Sequence, residues 1–493
     1  MSNPASLAFD AERFATERVA ALRSPASVLA VSGADLARVA GVGDRGDGLP
    51  PDCETVFRIA SVTKSFTAVR ILQLRDAGLL DLEAPVSAYL PGARMTPAHW
   101  AAELRLRHLL AMSGGLPTDD AWADRLEALP AAEFDALLES GIRLVRAPGT
   151  GYEYANLGWA MLGRIAERID GRPLPAQVEA EVLVPLGLTG VRFTPPAGRP
   201  LAVGHARRRG TWIPQPLTGP GAFSAIGGLF ASAADLLRWA AWLAAAFSGG
   251  GAAVPSDAED HVLSAASRRE MQRVQCAFSP TAGYGYGLIV EETPEHGRVI
   301  SHSGGYPGFS AHLRWSPTTG LAMCGLENAG YSGLYDTVPG AFARLQERAQ
   351  PIVELGDPQP FIPVPSTELA SPWPETRAAV TTVQQLFDRP AELSGWSAAE
   401  RTSFAACVAQ DLPLAERSDE FARARVALGP DAAPDPAGPW FPTAARALWR
   451  MIGRQQECEL GVDLSPTEPP RIQRITLRVY RRSDREDAHA PQP

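Results

Sequence analysis

The sequence predicts an α+β fold, an α/β sandwich in which an antiparallel sheet flanked by helices meets a helical subdomain across a cleft. A small C-terminal α+β domain follows. Three observations carry this. Strand-like runs stand at both ends of the first 350 residues with a long helical stretch between them; the later strands are short and punctuated by Gly and Pro; and a proline-dense segment precedes a change of pattern. Strands, helices, strands and a helix in that order suggest one sheet built from both ends of the segment, with helices packed against it.

The first element is "SVLAVSGADLARVAGVGD" (27 to 44), an apolar alternation read as a hairpin with Gly33 near its turn. "SVTKSFTAVRILQLRDAGLL" places Phe66, Val69 and Leu72 at helical spacing and ends at Gly78. "NLGWAMLGRIAERIDGR" reads as a second helix stopping at Gly171, and "SAADLLRWAAWLAAAF" as a third capped by Ser232. From about 284, "YGYGLIVEE", "RVISHSGGY", "SAHLRWSP" and "LAMCGLENA" form an antiparallel meander, followed by the helix "GLYDTVPGAFARLQERA". The chain therefore divides into 1–350, a Pro-rich linker 351–375, a small α+β accessory domain 376–485 and a disordered tail 486–493. In the accessory domain two helical patterns precede "GRQQECELGVDLSP" and "RIQRITLRVYRR", read as two strands joined by a Pro-rich turn.

Composition excludes several classes. A net charge of -9 over 493 residues leaves no basic face for nucleic acid. The longest apolar stretch, residues 236–247, is too short to span a bilayer and contains Arg238, so no membrane partner is expected. "MSNPASLAFDAERFATERVA" has no basic region followed by an apolar run, which makes a cytoplasmic location the simplest expectation. Five scattered cysteines fit reduced structural thiols, and no His or Cys spacing suits a metal site.

Arginine almost everywhere in place of lysine, with 45 Gly and 44 Pro, fits a GC-rich coding bias. Lys64 is the exception, the single lysine in the chain. Arginine stays protonated at any working pH, whereas a desolvated lysine gives up its proton, so a site needing a neutral amine cannot accept the exchange. Ser61 lies three residues earlier at the start of a predicted helix, on the same side and beside free backbone N–H groups. A neutral amine in reach of a serine hydroxyl is an activated-nucleophile arrangement. Taken alone, Ser-x-x-Lys is also what a capping serine and a surface lysine look like. Two further patterns follow in order: Tyr154-Ala155-Asn156 in a loop before a helix, and His302-Ser303-Gly304 with Gly305 on a predicted strand.

At these residues the chain resembles the serine β-lactamase and penicillin-binding-protein family, nearest to the branch of class C β-lactamases, D-aminopeptidases and related esterases. The resemblance covers roughly residues 10 to 350 and extends to "LRHLLAMSGGLP", "AIGGLFASAADLLRW" and "YGYGL". It implies that Ser61 attacks a carbonyl to form an acyl-enzyme, with Lys64 and Tyr154 as the proton-transfer groups; which of the two is the base in each half-reaction stays open. It implies that Asn156 orients the substrate amide or Lys64, and that the N–H groups of Ser61 and Gly305 form an oxyanion hole. No metal or organic cofactor is implied.

One departure matters. His302 stands where relatives acting on β-lactams or cell-wall peptides carry lysine, and an imidazole is mostly neutral near pH 7. Anchoring of a free carboxylate is expected to be weaker. The expected function is a serine hydrolase acting on a small-molecule or peptide ester or amide with a small or D-configured acyl group, of the esterase or D-aminopeptidase type. The alternatives are an acyltransferase or peptide-cyclising thioesterase of the same fold, and a non-catalytic penicillin-binding-like sensor or binding module. The accessory domain is expected to shape or shield the cleft, or to support homo-oligomerisation. Glu153, Asp119 and Asp120 read as solvated loop charges, "GYGYG" as a flexible strand start, and Trp159, Trp212, Trp239, Trp242 and Trp315 as core or cleft-wall aromatics, with Trp212 and Trp315 the candidates for an acyl pocket.

Overall fold

The computed structural model describes residues 11–33, 36–247, 261–294, 296–347, 349, 351–352, 370–391 and 402–481. The turn at 34–35, the tail 486–493 and most of the expected linker lie outside the described residues.

One antiparallel sheet of eight strands organises the first part of the chain: β1 (Ala26–Gly33), β2 (Leu36–Gly43), β3 (Cys276–Ala277), β4 (Ala282–Tyr284), β5 (Ile289–Thr293), β6 (Gly297–Tyr306), β7 (Phe309–Trp315) and β8 (Ala322–Glu327), in the order β2-β1-β8-β7-β6-β5-β4-β3. The two ends of the segment meet where β1 pairs with β8, Ser27 opposite Glu327 and Ser32 opposite Ala322. β3, at the sheet edge, and β4 beside it are short strands absent from the sequence reading, and β4 ends at Tyr284, so most of "YGYGL" is turn.

Both faces of the sheet are covered, which is why β7 and β8 are buried along their whole length. Alternate side chains divide between the faces. Leu29, Val31 and Met323 pack with α5 (Leu334–Gln346) through Val338, Ala341, Phe342 and Leu345, joined by Ala11 of α1 (Ala11–Ala20). Val28, Ala30, Ala311, Leu313 and Leu326 face the helical part, where α2 (Thr63–Asp76), α3 (Asn156–Asp170) and α4 (Ala233–Ala244) lie. At roughly 1.5–3 kcal/mol per fully buried aliphatic side chain, this two-sided core is the main stabilising term. The expected caps are present: Ser232 Oγ accepts the Asp235 N–H, and Gly171 closes α3 at φ 84°.

α2 is buried on nearly every side, so its polar side chains need internal partners. Thr67 Oγ1 donates to the Ala225 carbonyl at 3.0 Å, Arg70 reaches Asp170 at 2.8 Å, and Ser65 Oγ accepts the Trp239 indole N–H at 3.0 Å.

The C-terminal part is a second antiparallel sheet, β9 (Trp440–Thr443), β10 (Arg446–Ile452), β11 (Gln456–Leu464) and β12 (Ile472–Arg481), with Ala433–Pro434 also pairing to β10. α6 (Pro374–Asp388) and α7 (Leu414–Leu428) pack on it. Two of these strands were expected; β9 and β10 were not. Trp373, inside the stretch read as linker, is already buried and donates its N–H to the Ala444 carbonyl at 3.0 Å. This sheet docks on residues 118–146: the Arg143 N–H to the Pro466 carbonyl at 2.8 Å, Gln473 Nε2 to the Thr118 carbonyl at 2.8 Å, and Arg125 to Asp411 at 2.6 Å. No helix among the described residues is long and apolar enough to cross a membrane.

Candidate active site

Ser61 sits in a single 3₁₀ turn, Ala60–Val62, between the short strand Phe57–Arg58 and α2. Ala60, just before it, holds φ at 48°, a left-handed conformation that costs a non-glycine residue roughly 1–3 kcal/mol and is retained where surrounding packing enforces it. The enforcing neighbour is β6. A Cβ on Gly304 would lie 2.4 Å from the Ile59 carbonyl oxygen and 3.0 Å from the Ala60 Cβ, so only glycine lets the strand come this close to the serine turn. Gly305 follows opposite Ser310, with the Tyr331 ring where its side chain would be.

Lys64 is fully buried, and its Nζ donates to Ser61 Oγ at 2.8 Å and to the Ile226 carbonyl at 2.9 Å. Burial lowers its pKa to about 8, opposed by the carboxylates of Asp120, Asp124 and Asp119. Tyr154 completes the cluster: its phenol lies near enough to Ser61 for the serine to act on its charge, and its ring centroid lies 5.1 Å from Lys64 Nζ. Burial, then Tyr284 and Asp120, push the phenol well above its ordinary pKa, so it stands as a protonated donor.

Asn156 opens α3, with Nδ2 donating to Asp120 at 2.6 Å and Oδ1 buried without a hydrogen-bond partner. The acidic residues are not the solvated charges expected. Asp119 is fully buried and accepts the N–H groups of Asn156 and Leu157 at 2.7 and 2.8 Å, capping α3; burial raises its pKa to about 7. Glu153 pairs with Arg146 at 3.1 Å and accepts the Thr118 hydroxyl at 2.7 Å. Asp124, buried and raised well above the carboxylate range first by desolvation, accepts the Tyr331 phenol.

His302 lies on β6 and is 2% exposed; its Nδ1 is 2.6 Å from the Ser303 carbonyl and its Nε2 is 2.9 Å from the Tyr284 phenol. Burial and then the neighbouring Lys64 lower its pKa to about 3, so the imidazole is neutral. In "YGYGL", Gly287 has φ 74° and a Cβ there would lie 2.8 Å from the Lys64 carbonyl; the glycine serves close packing against α2, not a flexible strand start. Trp315 is buried in the sheet opposite Ile300 and Ala322, at the far end of β7 from Gly305, and donates to Gln272 at 3.1 Å, so it belongs to the core and not to an acyl pocket. Trp212 lies on the hairpin His205–Pro214, where Arg207 approaches its ring at 5.8 Å.

The structure thus gathers Ser61, Lys64, Tyr154, Asn156, His302, Gly304 and Gly305 in one place. It adds Asp120, Asp124, Tyr284, Tyr331 and the Ile226 carbonyl, which the sequence reading missed. The adjacent carboxylates at 119 and 120 were a visible signal; Tyr331 had none. Among the described residues no group of His, Cys, Asp or Glu side chains is arranged to hold a metal ion, and all five cysteines are free.

Comparisons with known proteins bear on the family and the fold. The family described as Beta-lactamase matches residues 11–347. Esterase EstB of Burkholderia gladioli is 30% identical over 341 residues, covering 60% of this chain and 83% of that protein; penicillin-binding protein 4 of Amycolatopsis lactamdurans is 30% identical, covering 65% and 86%. The match to penicillin-binding protein 4* of Bacillus subtilis, 26% identical, spans 64% of that protein. Among solved structures, the octameric penicillin-binding protein homologue from Pyrococcus abyssi superposes with a TM-score of 0.57 at 19% identity over 96% of this chain and all of that one, so the shared fold includes the C-terminal sheet. A D-stereospecific amidohydrolase from Streptomyces gives 0.55 at 23% identity, over 69% and 98%. With its matched residues spanning most of the chain, the protein belongs to the β-lactamase family.

Proposed function

We propose that this protein is a serine hydrolase that cleaves esters or amides of small or D-configured acyl groups through an acyl-enzyme on Ser61. The observation that carries the reading is a fully buried Lys64 amine 2.8 Å from the Ser61 hydroxyl, with its pKa brought down to about 8. A base is most effective when its pKa lies near the working pH. Lys64 takes the Oγ proton as the Oγ–carbon bond forms, and the tetrahedral oxyanion rests on backbone N–H groups of Ser61 and Gly305. As that intermediate collapses, the protonated Tyr154 phenol gives its proton to the departing alcohol or amine, and the proton held on Lys64 restores Tyr154. Water then attacks the acyl carbonyl with the same groups reversed, releasing the acid. In this reading Asn156, whose Oδ1 has no hydrogen-bond partner, orients the substrate amide or Lys64. The names of relatives such as the esterase and the amidohydrolase support this substrate class.

The test is covalent labelling. Ser61→Ala should lose labelling by a fluorophosphonate probe and turnover of p-nitrophenyl esters; undiminished labelling would remove Ser61 as the nucleophile.

A further inference from the structure

The hydrogen count around His302 is determined by its two neighbours. A backbone carbonyl only accepts, so Nδ1, 2.6 Å from the Ser303 oxygen, carries a hydrogen. In the neutral ring Nε2 is then a lone pair, and it accepts the hydroxyl hydrogen of Tyr284 at 2.9 Å. Tyr284 is fully buried, and burial holds its phenol well above the ordinary value, so the donor does not ionise. The ring is faced by Tyr284 from β4, by Tyr154 at 6.4 Å between ring centroids, and by Lys64 of α2; His312 of β7 stands opposite Ser303, with its Nδ1 2.8 Å from the Ser303 hydroxyl, within electrostatic reach of His302. A protonated His302 would set a second cation beside Lys64 and turn the Tyr284 phenol from donor to acceptor.

We propose that Tyr284 is a specificity-determining residue: its phenol and the Ser303 carbonyl together hold His302 as the neutral Nδ1–H tautomer. The strand bordering Ser61 therefore supplies no positive charge for a free carboxylate, and the site selects uncharged acyl groups. The selectivity part rests on the hydrolase function proposed above; the tautomer does not.

Two measurements on the full chain separate them. In nitrogen-15 NMR of the imidazoles, with His302 assigned by its loss in His302→Gln, the wild-type ring should show the Nδ1–H tautomer and no titration between about pH 8 and about pH 5; an Nε2–H tautomer, or a midpoint near the usual ~6.5, overturns the proposal. The second compares kcat/KM for p-nitrophenyl hexanoate and p-nitrophenyl monoadipate, which differ by a terminal carboxylate. Wild type should prefer the hexanoate by the same ratio at about pH 8 and about pH 5.5, whereas Tyr284→Phe removes the donor that opposes protonation at Nε2, with burial and Lys64 still opposing it, so the ratio should fall about threefold at the lower pH. A Tyr284→Phe ratio that matches wild type at both pH values overturns the selectivity role. If that variant does not fold, the tautomer measurement alone decides. If Ser61→Ala keeps its labelling, the hydrolase reading fails while the tautomer result stands.

Discussion

Replacing Lys64 by arginine tests the chemistry at its centre, because it keeps charge and length while removing the ability to become neutral. The fully buried amine has a pKa of about 8 instead of about 10.4, a displacement worth about 3 kcal/mol. At pH 7 roughly one in ten Lys64 side chains is then neutral, against fewer than about one in a thousand for an ordinary lysine. The base form is thus a few hundredfold more populated than exposure to water would allow. Arginine, with a pKa above about 12, offers fewer than about one neutral group in 100,000. Two consequences are measurable with a p-nitrophenyl ester. In wild type, log kcat/KM should rise with a slope near one below about pH 8 and level off above it, since the active form is the deprotonated one. Lys64→Arg should lose at least about a thousandfold at neutral pH. A flat profile between about pH 6 and pH 8, or a Lys64→Arg protein retaining a few per cent of activity, would refute the assignment of Lys64 as base. The same displacement has a stability sign. Between about pH 8 and about 10.4 the unfolded chain holds a proton at this position that the folded one has released, so Lys64 makes folding more favourable as pH rises through that window.

Two other outcomes follow from the geometry. Tyr154→Phe removes a protonated donor and should slow turnover by about 10²–10⁴-fold, with a larger loss for alkyl esters or amides than for p-nitrophenyl esters, whose leaving group needs no proton; equal losses for both would argue against Tyr154 as the acid. Asp119→Ala strips the cap that accepts two N–H groups at the start of α3 and should cost about 1–2 kcal/mol, read as a lowered midpoint in urea unfolding; an unchanged midpoint would show that the cap contributes nothing.

Much of this was written in local sequence. The hairpin at 27 to 44, the helix stop at Gly171, the Ser232 cap and the Ser-x-x-Lys pair depend on neighbours a few residues apart, and their patterns were readable directly. The ordered motifs of Ser61, Tyr154 and His302 further named which residues would gather. A neutral His302 and a Lys64 able to lose its proton were expected from residue type, but what sets those charge states was not readable, because it lies in contacts between distant residues. Lys64 meets the Ile226 carbonyl 162 positions away, and its amine is poised between burial and carboxylates that looked like loop residues. His302 read as a substrate-side group, yet both ring nitrogens are engaged inside the protein, one by a tyrosine from a strand too short to recognise. The C-terminal sheet shows the same division: two of its strands had visible alternation, but its docking on residues 118–146 beside the cleft rests on backbone and side-chain hydrogen bonds spanning more than 300 residues. The sequence alone pointed to Ser61, Lys64, Tyr154 and His302 and their order, through short motifs and the family resemblance those motifs carry. Only tertiary packing decided which of those groups is neutral, which is protonated and what charge the cleft presents, because desolvation and long-range hydrogen bonds exist only once the chain has folded.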